Sequence, residues 1–224
     1  NDARHFLNGL FFEINDEKIT VVATDGHRLA MSATPNTDKR GASTTCIIPR
    51  KCITELRRIL ATFKDNKEML TEVSVNSKEI TFNIGCFVVK SKLIEGNYPD
   101  YNKVFPDSLP NKLSVDKETL RAALQRMSIL SNDQFKGVKL LIGETELKLS
   151  TNNPAKEEGE DIIGCSYSGD AIEVGFNLNY LLEVIDVVDS KELCLELKNS
   201  GSGCLISSGT KTNSNKYIIM PMRV

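Results

Sequence analysis

Apolar and polar positions alternate along much of this chain, and the period of the alternation predicts its elements. Segments 9–14, 18–24, 28–32, 44–48, 72–75, 79–84 and 87–93 alternate or run apolar at strand length. Ile80, Phe82 and Ile84 give a clean period of two. Asn15-Asp16, Asp25-Gly26, Asn76-Ser77 and Gly96-Asn97-Tyr98-Pro99 supply the turns between them. The period changes at 50–63, where Ile53, Leu56, Leu60 and Phe63 recur at i, i+3, i+7 and i+10 behind Pro49. That spacing predicts a helix with those four as its core stripe. Asp116 reads as the N-cap of a helix over 117–130, with Leu120, Ala123, Leu124 and Met127 on one face. A third helix fits 177–188 through Leu178, Leu181, Leu182, Ile185 and Val188. Further strands fit 138–142, 146–151, 160–167, 171–176, 192–198, 203–207 and 216–220. Helix covers roughly a fifth of the chain, below the usual third, so the fold class is a strand-dominated α+β.

The pattern also repeats. Residues 6–24 and 135–151 each carry a Phe, a Gly, a strand, an acidic turn, an alternating strand and a closing Thr. Gly9 and Gly137 lie 128 residues apart, Thr24 and Thr151 lie 127 apart, and the helix at 50–63 answers that at 177–188. Two copies of one supersecondary design are expected. In the second copy a strand and a helix (112–130) precede the shared Phe, whereas only five residues precede Phe6. The first copy is therefore expected to be short of its opening strand and helix, and to be the less stable of the two. The start without methionine, at Asn1-Asp2-Ala3-Arg4, suggests a fragment or a processed terminus.

Composition narrows the function. The 224 residues hold 28 Lys+Arg against 30 Asp+Glu, a net charge of −2, which excludes a protein that coats nucleic acid through bulk positive charge. A 40% hydrophobic content with 26% charge excludes disorder. The apolar runs are too short for a membrane span or a signal peptide. The six cysteines (Cys46, Cys52, Cys86, Cys165, Cys194, Cys204) have no CxxC or CxH spacing, and mostly read as reduced, buried core thiols of a cytoplasmic protein. With two histidines, His5 and His27, and no ligand cluster, neither a metal nor a cofactor is expected.

Candidate chemistry is sparse. Asp25 and His27 in TDGHRLA could form an acid–base pair, but a surface turn between strands is the plainer reading, and no GxSxG nucleophile motif accompanies them. The GSG at 201–203 lacks the phosphate-loop pattern. Glu157, Glu158, Glu160 and Asp161 lack EF-hand spacing and read as a solvated strand edge or half of a charged contact. The basic residues say more. Arg50, Lys51, Arg57 and Arg58 lie seven apart in pairs, on the helix face opposite Leu56 and Leu60. Lys117 and Arg121 do likewise opposite Leu124. Cationic helix faces in an acidic protein gather positive potential on one surface.

TVVATDGHRLA (20–30), IIPRKCITEL (47–56), SKLIEGNYPDYNKVFP (91–106), ILSNDQFKGVKL (129–140), the TNNP beginning at Thr151 and the terminal YIIMPMRV (217–224) together resemble the bacterial DNA polymerase III beta subunit family, the sliding clamps. The resemblance covers essentially the whole chain in order. It implies a DNA-clamp fold of repeated units, each an antiparallel sheet structure with helices on one face. It also implies a fragment, with 1–107 as most of the middle domain and 108–224 as the complete C-terminal domain. The implied function is a non-enzymatic, cytoplasmic processivity factor: a head-to-tail homodimeric ring around duplex DNA, binding the polymerase III catalytic subunit, the clamp loader and repair polymerases through short linear motifs.

Three sets of residues follow from that resemblance. Arg50, Lys51, Arg57, Arg58, Lys117 and Arg121 are candidates to face DNA, meeting phosphates without reading bases. A cleft for an apolar peptide motif (glutamine, then leucines and an aromatic) maps onto Leu7, Thr24, Gly26, His27, Arg28, Leu29, Pro99, Lys103, Val104, Asn177, Tyr180, Ile218, Met220, Pro221, Met222 and Arg223. Leucine, isoleucine, valine and methionine suit such a pocket. Lys103 stands where the family often has arginine, and Gly203 where it often has serine. Ile129 and Leu130, flanked by Glu157, Glu158 and Glu160, match the subunit interface, which this chain alone would leave open, so a monomer is expected. Two other readings stay open: a freestanding clamp-like peptide-binding adaptor, and a hydrolase using Asp25 and His27.

Overall fold

The computed structural model describes residues 4–37, 43–66, 69–131, 136–155, 157–208 and 215–223. They group into two units, Asn1–Asp25 with Met31–Pro99, and Gly26–Ala30 with Asp100–Val224. The change of unit after Pro99 comes eight residues before the position read from the sequence, and residues 26–30 group with the second unit.

In the first unit a 3-10 turn, His5–Asn8, leads into strands β1 (Gly9–Ile14), β2 (Lys18–Thr24), β3 (Arg28–Pro35, of which Met31 onward belongs to this unit) and β4 (Thr44–Pro49). They lie in the sheet order β3-β2-β1-β4. Helix α1 (Arg50–Ala61) follows, then the antiparallel sheet β5 (Thr71–Val75), β6 (Glu79–Ile84) and β7 (Phe87–Lys92). Short polar side chains make the hairpins tight. Asn15 Oδ1 accepts the amides of Glu17 (3.0 Å) and Lys18 (2.9 Å), and Asn76 Oδ1 accepts those of Lys78 (2.9 Å) and Glu79 (2.8 Å). The buried core joins Phe12, Cys46 and Ile48 to Cys52 and Leu56 of α1 and to Ile80, Phe82 and Ile84.

Two expectations for α1 need correction. Its core stripe runs through Cys52, Leu56, Ile59 and Phe63 at i, i+4, i+7 and i+11, with Ile53 beside it. Leu60, one residue around the helix from Ile59, is turned out to 47% exposure. The helix also closes at Ala61 rather than at 63, because the Thr62 and Phe63 amides bond back to Ile59 O and Leu60 O in a tightening last turn.

The second unit begins, after a 3-10 turn at Tyr101–Val104, with β8 (Asn111–Asp116) and α2 (Lys117–Leu130). Asp116 caps α2 as its sequence predicts: Oδ1 accepts the Thr119 amide at 2.8 Å and the Thr119 hydroxyl at 2.6 Å. These bonds hold the Asp116 carboxyl below the usual carboxylate range. Strands β9 (Gly137–Ile142), β10 (Glu146–Asn152), β11 (Glu158–Gly164), β12 (Ser166–Ser168) and β13 (Ile172–Asn177) precede α3 (Leu178–Val187). Strands β14 (Glu192–Leu197), β15 (Cys204–Ser208) and β16 (Lys216–Ile219) complete the unit. One sheet has the order β11-β10-β9-β13, the other β12-β8-β14-β15-β16. The expected strand over 160–167 is thus two strands in different sheets. β11 pairs with β10 as far as Gly164, the chain breaks at Cys165, and β12 pairs with β8. Leu120, Ala123, Leu124 and Met127 of α2 enter a continuous core with Leu140, Leu149, Phe176, Leu181 and Leu195.

The repeat is real at the level of register. Gly9 faces Pro49 and Ile14 faces Thr44 in the first unit; Gly137 faces Asn177 and Ile142 faces Ile172 in the second. The offset of 128 therefore holds at every one of these positions. By the same offset Thr24 corresponds to Asn152, not to Thr151. The Phe135 end of the sequence repeat lies outside the described residues. Among the described residues nothing precedes β1 but the 3-10 turn, whereas β8 and α2 precede β9.

Burial sets the expected cost of substitution. Leu124→Ala, at 0% exposure, should destabilise the protein by about 2–5 kcal/mol. Leu60→Ala should change stability by under about 1 kcal/mol. Urea unfolding of the two variants measures both; equal costs would contradict the packing described for α1.

Candidate functional site

Strand β16 runs into the terminal segment Met220–Arg223, which the main chain holds at two points. The Met220 amide donates to His27 O at 2.8 Å, and the Met222 amide donates to Gly175 O at 2.9 Å. Both partners belong to the second unit, with Gly175 on β13, a strand at the margin of its sheet. Pinned in this way, Met220 stays 40% exposed, Pro221 and Met222 are half-buried, and Arg223 is exposed. Ile218, by contrast, is fully buried on β16.

Gly26 turns the chain with φ +89°, a conformation that favours glycine, and Asp25 and His27 on either side are exposed. His27 uses its main-chain carbonyl to hold the tail. This is a connection between strands. Leu29 is buried, and Arg28 is half-buried against α3. The Arg28 guanidinium lies 4.2 Å from the centre of the Tyr180 ring and donates to Glu183 Oε2 at 2.7 Å. Asn177, read from the resemblance as a peptide contact, serves the local backbone. Its Oδ1 caps α3, accepting the amides of Asn179 (2.9 Å) and Tyr180 (3.3 Å). Lys103 lies on the Tyr101–Val104 turn, 82% exposed and 3.8 Å from Asp100, with Val104 exposed beside it. The remaining three predicted residues, Leu7, Thr24 and Pro99, belong to the first unit.

Sequence reasoning missed one neighbour of Arg28, and it named Gly203 without its contacts. Glu183 stands three residues after Tyr180, the spacing that puts two side chains on one helix face, and that signal was there to be read. Gly203 is fixed by contact: a Cβ there would sit 2.8 Å from Ile218 Cγ2 and 3.2 Å from Met220 Sδ. Ile218 and Met220 thus fill the space a side chain at 203 would need.

The six candidate DNA-facing cations fall into two kinds. Arg50, Lys51, Arg57 and Arg58 all project from α1 as exposed residues, and Arg58 pairs there with Glu55 at 2.9 Å. Lys117 and Arg121 on α2 are half-buried and committed to their neighbours. Lys117 Nζ donates to Val188 O at 2.7 Å, and Arg121 pairs with Asp186 at 2.8 Å and lies 3.9 Å from Glu118. Both side chains thus also help to hold α2 to α3.

The five candidate interface residues gather at one margin of the second unit. Ile129 is 81% exposed near the end of α2. Leu130 packs so closely on β11 that a Cβ at Gly159 would lie 2.7 Å from its Cδ1. Asn153 Nδ2 ties Leu130 O (3.1 Å) to the Glu157 carboxylate (2.6 Å), while Glu158 and Glu160 point out from β11, an outermost strand of its sheet. Glu160 pairs with Lys148 at 2.7 Å, and Asp161 with Arg126 at 2.8 Å.

Elsewhere, a groove of about 1110 Å³ in the first unit contains none of the predicted cleft residues. It is lined by Phe11, Tyr98 and Ile47 among mostly polar groups. Cys46, Cys52 and Cys204 are buried, Cys165 and Cys194 half-buried, and Cys86 exposed. Among the described residues no cluster of His, Cys, Asp and Glu is arranged to hold a metal ion, and no helix is long and apolar enough to cross a membrane.

A two-unit protein built on one register, with a basic helix and a pinned C-terminal tail, has the architecture of a DNA-clamp subunit. Comparison with known proteins makes the family definite. Residues 1–100 match the family model for the DNA polymerase III beta subunit, central domain, and residues 102–223 that for its C-terminal domain. The chain belongs to the DNA polymerase III beta subunit family. The beta sliding clamp of Escherichia coli K12 is 38% identical over 223 residues, and that of Pseudomonas putida KT2440 is 35% identical, each match covering all of this chain and 59% of the relative. The crystal structure of the Pseudomonas aeruginosa DNA polymerase III subunit beta superposes with a TM-score of 0.94 at 34% identity, covering 100% of this chain and 60% of that one. A Bartonella birtlesii sliding clamp bound to griselimycin gives 0.91 at 34% identity, with the same coverage. The chain thus spans about three-fifths of the length of the relatives it matches.

Two outcomes follow from this geometry. Gly203→Ser should destabilise the protein by about 1–3 kcal/mol through overpacking against the buried Ile218; chemical denaturation beside Gly203→Ala, which brings the same Cβ against Ile218 Cγ2 and should cost a similar amount, measures it. Burial pushes the Cys46 thiol up to about 11, so at pH 8 it carries little reactive thiolate. Iodoacetamide at that pH should label the exposed Cys86 first and leave Cys46 intact until unfolding, as mass spectrometry would show. Equal labelling rates would contradict the burial.

Proposed function

We propose that this chain carries the partner-binding surface of a sliding clamp. The whole protein, as a head-to-tail homodimer, would encircle duplex DNA in the bacterial cytoplasm and tether the polymerase III catalytic subunit, the clamp loader and repair polymerases. The observation that carries this reading is the pinned tail. Its backbone is held by His27 O and Gly175 O, so Met220, Pro221 and Met222 offer an apolar surface beside Arg28 and Tyr180 without being needed for the core. Such a surface suits a short apolar motif, with the polar residues at its rim. Two solved relatives, from P. aeruginosa and B. birtlesii, are described as bound to griselimycin, which supports a ligand site on clamps of this family.

The charge distribution supports the DNA side of the proposal. The protein is net negative, yet α1 presents four exposed cations on one helix. Contacts of this kind slide along phosphates and carry no base specificity. Ile129 and the acidic margin of β11 would serve ring closure, with an apolar centre and a charged rim.

The test is a titration of a fluorescent peptide containing a glutamine, leucines and an aromatic. Binding should weaken at least about tenfold in Met222→Lys, the loss of one well-seated apolar contact. Absence of binding to the unaltered chain at high micromolar peptide would overturn the cleft. For DNA, the Arg50→Glu/Arg57→Glu variant should lower the slope of log affinity against log salt by about 0.9 for each cation that contacts phosphate. An unchanged slope would remove α1 from the DNA face.

A further inference from the structure

Arg28 is held by three independent devices in the second unit. Its neighbour His27 is anchored through the carbonyl that accepts the Met220 amide. Its guanidinium lies over the Tyr180 ring at 4.2 Å, and its Nη1 donates to Glu183 Oε2 at 2.7 Å. Tyr180 is fixed in turn, because its amide is capped by Asn177 in the first turn of α3. Tyr180 and Glu183 share one face of α3, so the guanidinium meets an aromatic surface and a carboxylate together. The Arg28 side chain is 30% exposed and that of Glu183 62% exposed, so solvent and any docked segment reach both.

We infer that Glu183 is a positioning and specificity-determining residue of the peptide surface: it parks Arg28 over Tyr180 and neutralises it, so that the surface does not select peptides for acidic residues beside their apolar motif. This rests on the peptide-binding reading above. A parked guanidinium presents its π-stacked plane and its alkyl stem, which extend the apolar surface formed by Met220 and Met222. The carboxylate of Glu183 holds the place a peptide carboxylate would otherwise take. An acidic side chain on a docked peptide must compete with it, and gains little by doing so. Removing the negative charge while keeping the shape should turn Arg28 into an acceptor site for peptide carboxylates.

The experiment compares two fluorescent peptides with the same apolar motif, one flanked by two glutamates and one by two glutamines, on the unaltered chain, Glu183→Gln and Glu183→Asp. Glu183→Gln should tighten the glutamate-flanked peptide about two- to fivefold relative to the glutamine-flanked one, the range for a partly exposed ion pair. The gain should fade between about 50 and 500 mM salt. Glu183→Asp should restore the original ratio. A ratio unmoved by Glu183→Gln, or a gain insensitive to salt, would overturn the inference even if both peptides bind. Failure of both peptides to bind the unaltered chain would overturn the cleft itself, a separate and recognisable result. Circular dichroism on each variant shows whether α3 is intact, and a loss common to both peptides would mark Glu183 as merely structural.

Discussion

Each unit of this protein depends on burying one apolar helix stripe against sheet. In the first, Cys52 and Leu56 of α1 meet the inner faces of β1, β4 and β6. In the second, α3 and α2 together close on a larger core that reaches from Leu113 to Ile219. The strand pairs beneath the helices keep the same register at an offset of 128, so the two units solve one packing problem with different residues. The difference shows in how fully the stripes are covered. Leu181 and Ile185 of α3 are at 1% exposure, while the first unit keeps Leu10, Ile53, Ile59 and Phe63 only half-buried.

That contrast explains which parts were legible in the sequence. Strict alternation, as at Ile80, Phe82 and Ile84, identifies a strand and its buried face because period two leaves no other solution. Asp116 and the Asn15 and Asn76 turns were readable because a short polar side chain has few ways to satisfy adjacent amides. Leu60 was misread because a helical stripe is wider than one row, so i+7 and its neighbour compete, and only packing partners distant in sequence decide. The break at Cys165 was invisible for a related reason. The residues 160–167 carry no proline or turn pair to interrupt a strand, and the change of sheet depends on which partners, β10 or β8, lie alongside.

The site was partly legible. The tail and the TDGHRLA turn could be matched as motifs, but the hydrogen bond that joins them connects residues nearly two hundred positions apart. Asn177 and Lys117 show what assigning roles by position leaves out. A polar residue also has the local backbone to satisfy, and both of these bond to it. Charge behaves similarly: of the six cations, four form an exposed array on α1, and two half-buried ones also brace α2 against α3.

Holding the tail through amides and carbonyls has an evolutionary consequence. The anchoring atoms are common to nearly every amino acid, so residues 220 and 222 can be exchanged without loosening the attachment. Selection for a new partner, or for escape from an inhibitor, can therefore act on those side chains while the scaffold stays in place. Proline alone is barred from 220 and 222, since each must donate an N–H. The tail is free to drift in chemistry because it is fixed in position.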